Sequence, residues 1–274
     1  MRLLFIGDIV GRPGRDLVRQ GVRPLVARHG IDLVIANAEN AAAGTGITRE
    51  LGDQLLDAGV DVMTSGNHIW AKREAIDYIG AEPRLLRPAN YPPGVPGRGS
   101  HVARTRDGRS VGVINIMGRV FMPSLDDPFA VVVREIEALQ TRCRVIFVDF
   151  HAEATSEKMA MGWHLDGRVT AVIGTHTHVQ TADERVLPGG TAYLTDVGMT
   201  GPHDSIIGVE IEPALARFLS GMPSRFEPAT ANPRLNAVIV DADDATGRAV
   251  GVERLSYGQR ELAALAGIVD EQPV

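Results

Sequence analysis

Two histidines stand two residues apart in the segment Gly-Thr-His-Thr-His at 174–178. In an extended backbone, residues two apart point to the same side, so His176 and His178 can reach a single site. Imidazole nitrogens bind first-row metals and also transfer protons near neutral pH. The alternative is a surface strand that happens to carry two histidines. The segment therefore predicts a metal site if other polar groups join it.

Carboxylate, amide and imidazole side chains follow other short apolar runs of the chain in the same way. One such residue alone is ambiguous, because a polar side chain at a strand end often caps a turn. Together they form a set of nitrogen and oxygen ligands suited to Zn, Fe or Mn, and a carboxylate can bridge two ions. Cysteine-based zinc sites are excluded, since Cys143 is the only cysteine. The candidate ligands are Asp8, Glu39, Asn40, Asn67, His151, His176 and His178.

The apolar runs that precede these residues have the length of β-strands. Most are apolar at consecutive positions, which is typical of strands buried on both faces. In α/β sheets ligands bind beyond the carboxyl ends of the strands, so the polar residues are expected to meet at one rim. The predicted strands are Leu3–Ile6, Leu33–Ile35, Val60–Met63, Val111–Ile116, Val145–Val148 and Val169–Ile173.

Helices are predicted between the strands at Asp16–Arg28, Arg49–Ala58, Trp70–Tyr78 and Pro128–Thr141. Pro24 inside the first segment indicates a kink or a shorter helix. In the last third of the chain, three further strands are predicted in a more antiparallel arrangement, at Ala192–Thr195, Leu235–Asp241 and Ala249–Leu255. No repeat or linker divides the chain. We therefore predict a single α/β domain over residues 1–274, with two sheets.

Composition narrows the classes of partner. The chain is 44% hydrophobic and 23% charged, with a formal net charge of −6 and no basic block. A stable nucleic-acid complex is therefore not expected. No apolar run approaches the roughly 20 residues of a membrane helix. We expect a cytoplasmic protein with no membrane partner, and a homo-oligomer is compatible with the sequence.

The combined motifs resemble those of the calcineurin-like metallophosphoesterase superfamily, and within it the YmdB-type bacterial cyclic-nucleotide phosphodiesterases. The resemblance runs through nearly the whole chain. The matching segments are Gly-Asp-Ile-Val-Gly at 7–11, Asn-Ala-Glu-Asn at 37–40, Gly-Thr-Gly-Ile-Thr at 44–48, Ser-Gly-Asn-His at 65–68, Asp-Phe-His-Ala-Glu at 149–153, Gly-Thr-His-Thr-His-Val-Gln-Thr-Ala-Asp at 174–183 and Thr-Asp-Val-Gly-Met-Thr-Gly-Pro at 195–202.

Two departures from the superfamily pattern are typical of the YmdB-type branch. Val10 stands where the superfamily usually has a histidine ligand, and Glu39 stands where it usually has a bridging aspartate. The resemblance implies that Asn40 takes the place of the missing histidine. It also implies the two ligand sets. Metal one would be bound by Asp8, Glu39, Asn40 and His178, and metal two by Glu39, Asn67, His151 and His176.

The resemblance implies a two-sheet α/β/β/α sandwich, two metal ions per chain and hydrolysis of cyclic nucleotides, with 2′,3′-cyclic nucleotides favoured. Fe or Mn is preferred by resemblance, and Zn is compatible. A metal-activated hydroxide would attack phosphorus, with His68 as general acid or electrostatic stabiliser; the alternative for His68 is to orient Asn67 or its turn.

Two other functions remain open: a 5′-nucleotidase-like phosphomonoesterase, and a catalytically idle metal-binding regulator. The segment Gly44–Gly46 suits either close substrate approach or turn geometry alone. His164 suits either a place near the substrate or packing, and His203 is not assigned as a ligand.

Overall fold

Two mixed β-sheets stack face to face, and helices cover the outer face of each. The structure is a computed structural model that describes residues 1–265 and 267. The last part of the predicted single domain, residues 266 and 268–274, lies outside the described residues. The α/β/β/α sandwich predicted from the sequence is confirmed.

Strands are numbered in chain order. The first sheet contains β1 (Arg2–Ile6), β2 (Asp8–Ile9), β3 (Leu33–Asn37), β4 (Val62–Thr64), β11 (Met199–Pro202), β12 (Pro233–Ala242) and β13 (Ala249–Gly258). The second contains β5 (Ser100–Arg104), β6 (Ser110–Met117), β7 (Val145–His151), β8 (Ala171–Thr175), β9 (Arg185–Val186) and β10 (Ala192–Leu194). Strands β1, β3 and β4 are parallel in the first sheet, and β6, β7, β8 and β10 are parallel in the second.

The helices are α1 (Gly11–His29), α2 (Arg49–Ala58), α3 (Glu74–Ala81), α4 (Pro128–Leu139), α5 (Thr155–Leu165), α6 (Ile211–Ser220) and α7 (Gln259–Leu265). In the described residues, none of these helices combines the length and the apolar character that a membrane crossing requires. The bounds predicted for α2 are confirmed. It begins at the Thr48 side chain, which accepts the Leu51 N–H, and ends at Gly59 in the left-handed region.

Some predicted elements differ from the structure. Helix α1 begins at Gly11 rather than Asp16 and continues through Pro24. Helix α3 begins at Glu74 rather than Trp70, because residues 70–73 form turns. The strand predicted at Ala192–Thr195 was expected to be antiparallel, but β10 lies parallel to β8 and only its other edge pairs antiparallel, with β9.

The apolar core fills the space between the two sheets. Phe5 of β1 and Phe147 of β7 are fully buried there, with ring centroids 4.9 Å apart. Burying each such side chain contributes roughly 1.5–3 kcal/mol. Because the sheets are joined in this way, the carboxyl ends of β3 and β4 and those of β7 and β8 are brought to one rim of the sandwich.

Candidate metal centre

The predicted ligands meet at this rim, and both sheets contribute to the cluster. Those from the first sheet lie in β2 and in the loops after β3 and β4, and those from the second lie at the ends of β7 and β8. The first group consists of Asp8, Glu39, Asn40 and Asn67, and the second of His151, His176 and His178. The structure therefore brings all seven together, although they are spread over 170 positions of sequence, from 8 to 178.

Three of these side chains crowd around the His151 imidazole. Its Nε2 atom lies 3.2 Å from Glu39 Oε1, 2.9 Å from Asn67 Oδ1 and 3.1 Å from His176 Nδ1. The ligand atoms of Glu39, His151 and His176 all lie within 4.8 Å of one another. One Nε2 proton cannot satisfy three neighbouring acceptors, whereas one cation can bind all four atoms. The group therefore has the donor chemistry of a metal site.

A second group forms on the other side of Glu39. His178 Nε2 lies 4.0 Å from Asp8 Oδ1 and 3.1 Å from Asn40 Nδ2. Asn40 Nδ2 is also 3.5 Å from Glu39 Oε1, so the glutamate adjoins both groups. As placed, the Asn40 amide directs its nitrogen to this group. Binding a metal through Oδ1 requires a half-turn of the amide, which exchanges the two atoms.

Asp8 supplies an independent sign that a cation fits here. Its side chain is fully buried, and in residues 1–265 and 267 its Oδ1 atom has no hydrogen-bond partner. Burial raises the pKa of this carboxyl, and the nearby imidazoles of His178 and His151 act in the opposite direction. An unpaired buried carboxylate oxygen is costly, and a metal ion removes that cost.

Each of the three histidines is held by a partner outside the cluster. His151 Nδ1 donates to Thr175 Oγ1 at 3.0 Å, and that hydroxyl donates to Asp149 Oδ1 at 2.7 Å. His178 Nδ1 donates to the Ile207 carbonyl at 2.7 Å. His176 Nε2 pairs with Glu153 Oε2 at 3.1 Å. Such bonds fix the ring and direct its other nitrogen into the cluster, which is how metal-binding histidines are oriented.

The electrostatics of the cluster distinguish the ion pair of Glu39 and His151 from the neutral ring of His176. Burial opposes the charge on Glu39, but the charge of His151 and its hydrogen bond lower the Glu39 pKa to about 2. Burial likewise opposes the charge on His151, and Glu39 raises its pKa to about 9. Burial and repulsion by His151 lower the pKa of His176 to about 3, so this ring is neutral at pH 7.

The backbone that carries the histidine pair is strained and firmly anchored. His176 and His178 have φ values of 101° and 67°, in a region that favours glycine. Between them, the Thr177 N–H donates to Asp196 Oδ2 at 3.1 Å. The buried Lys158 donates to the same Asp196 oxygen at 2.6 Å and to the Thr175 carbonyl at 2.7 Å. The ion pair of Lys158 and Asp196 therefore holds the backbone at Thr175 and Thr177, the residues on either side of His176.

His68 lies beside the ligands and is partly open to solvent. Its backbone N–H donates to Glu39 Oε2 at 2.9 Å, and its ring Nδ1 atom lies 2.8 Å from Asn40 Oδ1. The preceding turn fits tightly, because a Cβ at Gly66 would stand 2.2 Å from the His151 ring. Glu39 and Asn40, two of the candidate metal ligands, therefore also orient His68.

The two other histidines whose roles were left open, His164 and His203, have different surroundings. His164 stacks edge-on against Phe129, with centroids 5.5 Å apart, so it packs away from the cluster. His203 lies near His178, where both residues line a cleft of about 370 Å³. Its Nδ1 atom donates to the Gly201 carbonyl at 3.0 Å. Its Nε2 atom lies 3.2 Å from the Asn236 amide nitrogen. The segment Gly44–Gly46 has positive φ at both glycines, which supports the turn geometry.

Comparisons with known proteins agree with this geometry. A family model described as a YmdB-like protein matches residues 4–255. The chain is 50% identical to the 2′,3′-cyclic-nucleotide 2′-phosphodiesterase of Bacillus subtilis, over 93% of this chain and 96% of that protein.

Two solved structures are similar. A hypothetical protein of Thermus thermophilus is 45% identical, covering 94% of this chain and 99% of its own, with a TM-score of 0.87. A structure described as a novel phosphatase of Mycoplasma pneumoniae is 35% identical, covering 96% of both chains, with a TM-score of 0.88.

Proposed function

The chain belongs to the YmdB-like family, and on that premise we propose that it is a metal-dependent phosphodiesterase that opens 2′,3′-cyclic nucleotides. The family relatives are named as phosphodiesterases and phosphatases, and the chain is accordingly a phosphoester hydrolase. The observation that carries the proposal is the meeting of seven nitrogen and oxygen ligands at one rim, with the fully buried Glu39 between two groups of them.

Two metal ions are proposed, with Glu39 as the shared ligand. The first would be bound by Asp8, Glu39, Asn40 and His178, and the second by Glu39, Asn67, His151 and His176. Fe or Mn is the preferred pair and Zn is also compatible, since this ligand set accepts all three. When bound, such ions neutralise phosphoryl charge and supply the nucleophilic hydroxide.

His68 is proposed as the group that meets the leaving oxygen. Its ring is partly exposed beside the cluster, and the Asn40 amide lies 2.8 Å from its Nδ1 atom. After the half-turn that directs Asn40 Oδ1 to a metal, the Asn40 amide nitrogen would donate to His68 Nδ1, and the ring proton would be on Nε2. Nε2 would then be the atom that gives a proton or stabilises developing charge. The cleft beside His178, lined also by Gln180 and His203, is the proposed place for the nucleoside.

The cytoplasmic location, the single domain and a homo-oligomer stay predictions. The phosphomonoesterase and the idle regulator are separated from this proposal by the following experiment.

Turnover of 2′,3′-cyclic AMP, bis-p-nitrophenyl phosphate and a 5′-nucleotide is measured on metal-loaded protein, with His68→Ala and Asn67→Ala as variants. His164→Ala, which removes a histidine outside the cluster, is the control. We expect diester turnover to fall by roughly 10²–10⁴-fold in His68→Ala with its metals retained, and further in Asn67→Ala. Faster turnover of the monoester would favour the phosphomonoesterase, and bound metal without any turnover would favour the regulator.

A further inference from the structure

A groove lies between α1 and α2, outside the metal centre. Its volume is about 680 Å³. Four arginines of α1 line one side, and part of α2 forms the other. The lining residues are Arg12, Arg15, Asp16, Arg19, Arg23, Gln54, Leu55, Asp57 and Ala58.

The four arginines share one face of the helix because of their spacing. Residues 12, 15, 19 and 23 are separated by three, four and four positions, which stack along one side of an α-helix. The eleven steps from Arg12 to Arg23 span about 16 Å at about 1.5 Å per residue. The opposite face of α1 carries buried apolar residues such as Leu17 and Leu25.

The positive charge of the groove exceeds the carboxylates that neutralise it. Arg12 and Arg19 share Asp16, at 3.5 and 3.0 Å. In the described part of the chain, no carboxylate lies within 4.0 Å of Arg15 or Arg23; instead they donate to the carbonyl oxygens of Ala41 and Asp57. Arg15 is half-buried, and burial lowers its pKa. Within a chain of net charge −6, this is a local site for a polyanion.

One end of the groove adjoins the metal-binding loop. The Gly11 N–H at the start of α1 donates to the Asn40 carbonyl at 2.9 Å. The Arg15 guanidinium donates to the carbonyl of Ala41, the next residue. Both Asn40 and the neighbouring Glu39 are proposed metal ligands, so the row of arginines starts beside the reacting centre and leads away from it.

We propose that this groove binds the phosphate backbone of a single-stranded oligoribonucleotide whose 3′-terminal 2′,3′-cyclic phosphate is hydrolysed at the metal centre. The proposal rests on the proposed function and names its substrate class. A single small phosphate would occupy one or two guanidiniums, whereas a row about 16 Å long matches successive phosphates of one strand. The planar guanidinium fork suits phosphate oxygens.

The chemistry of such a terminus also indicates the reaction that supplies it. A 2′,3′-cyclic phosphate forms at the 3′ end of RNA when a 2′-hydroxyl attacks the adjacent phosphodiester and displaces the 5′-oxygen of the next nucleotide. Hydrolysis then adds water across one P–O bond. The hydroxyl joins phosphorus, the freed ribose oxygen takes the proton, and a terminal phosphomonoester remains.

The test compares kcat/KM for 2′,3′-cyclic AMP and for a short unstructured oligoribonucleotide that ends in the same cyclic phosphate. The variant is Arg19→Gln combined with Arg23→Gln. Arg28→Gln, an exposed arginine of α1 outside the groove, is the matched control. Binding of the same oligonucleotide with a 3′-hydroxyl end is measured separately by fluorescence anisotropy at 50 and 200 mM salt, so the groove is tested even if no cyclic phosphate is hydrolysed.

With four phosphate contacts, each contributing about 0.7 to the salt slope, the fourfold rise in salt should weaken binding by roughly 50-fold. With the two contacts left in the double variant, the loss should be roughly sevenfold. The double variant should lose the preference for the oligonucleotide while mononucleotide turnover stays unchanged, and Arg28→Gln should behave as the unmodified protein. Equal kcat/KM for both substrates, or equal salt slopes in protein and double variant, would overturn the proposal.

Discussion

At the scale of single residues, the orientation of the histidine rings decides which of their atoms face the interior of the proposed metal centre. His151 is the most constrained, because Thr175 holds its Nδ1 and Glu39 faces its Nε2. The seven ligands were predicted from their positions after apolar runs. The residues that orient them were not, because a hydrogen bond that a histidine ring donates to the Ile207 carbonyl or the Glu153 carboxylate depends on tertiary placement that no local pattern contains.

Metal uptake at pH 7 should release about one proton from His151. Its pKa is raised to about 9, so the ring is protonated below that pH, whereas a metal needs the unprotonated Nε2. Metal affinity should therefore rise with pH and level off above about pH 9. Calorimetric titrations in two buffers of different ionisation enthalpy measure the release, and a titration well above the His151 pKa is the control. Heats independent of the buffer at pH 7 would contradict the assignment.

Glu153 should act as a positioning residue for His176. Its carboxylate lies 3.1 Å from His176 Nε2, so Glu153→Ala should weaken metal binding by roughly 10–100-fold. Glu153→Gln keeps an acceptor and should recover part of that loss. Glu137→Ala, on the exposed surface of α4, is the control. Equal metal dissociation constants in Glu153→Ala and Glu137→Ala would show that the contact orients nothing.

At the scale of elements, α5 contributes the lysine that anchors the histidine loop. This helix was not predicted, because its burial runs against the usual pattern: Lys158 is 1% exposed, whereas Trp163 is 51% exposed. An amphipathic helix would bury the tryptophan and expose the lysine. The antiparallel arrangement expected for β10 was wrong on the side of β8, since the apolar run alone does not show in which direction the neighbouring strand runs. By contrast, α2 was predicted to the residue because Thr48 and Gly59 mark both ends.

Lys158→Met should destabilise the fold by about 3–5 kcal/mol, because Asp196 is left as a buried carboxylate without its cation. Adding Asp196→Leu should restore much of this stability, since an apolar pair replaces the ions. The double variant should still bind metal weakly, because the Thr177 and Gly198 N–H groups also need Asp196. Denaturant unfolding and metal titration measure the two effects, and recovery of both together would contradict the anchoring role.

At the scale of the whole molecule, the metal centre joins the two sheets. Asp8, Glu39 and Asn67 come from the first sheet, and His151 and His176 come from the second. A single α/β domain with two sheets was predicted from apolar runs typical of strands buried on both faces, whereas the α/β/β/α sandwich was predicted from the family resemblance. The arginine groove was not predicted from the sequence. Arginines three and four positions apart form no basic block in the sequence, and they form one surface only when the segment is helical. The expectation of no stable nucleic-acid complex was drawn from the absence of a basic block and stays a prediction, which the oligonucleotide experiment tests.

Bound metal should therefore stabilise the folded protein. At about 100 times the dissociation constant, a ligand that binds only the native state contributes about 2.7 kcal/mol. Removing metal with a chelator should lower the Tm, and adding it back should restore the Tm. A variant with both His176→Ala and His178→Ala should show little of this response. An equal response in that variant would mean that the stabilising metal binds elsewhere.

The most direct test of the central claim is the metal content of the purified protein after reconstitution with Fe, Mn or Zn, measured by elemental analysis. The proposed site predicts about two metal ions per chain, with less metal retained in Asp8→Ala and in Asn67→Ala, one ligand from each proposed set. Retention of no metal by the unmodified protein, or the same content in both variants as in the unmodified protein, would contradict the metal centre described here.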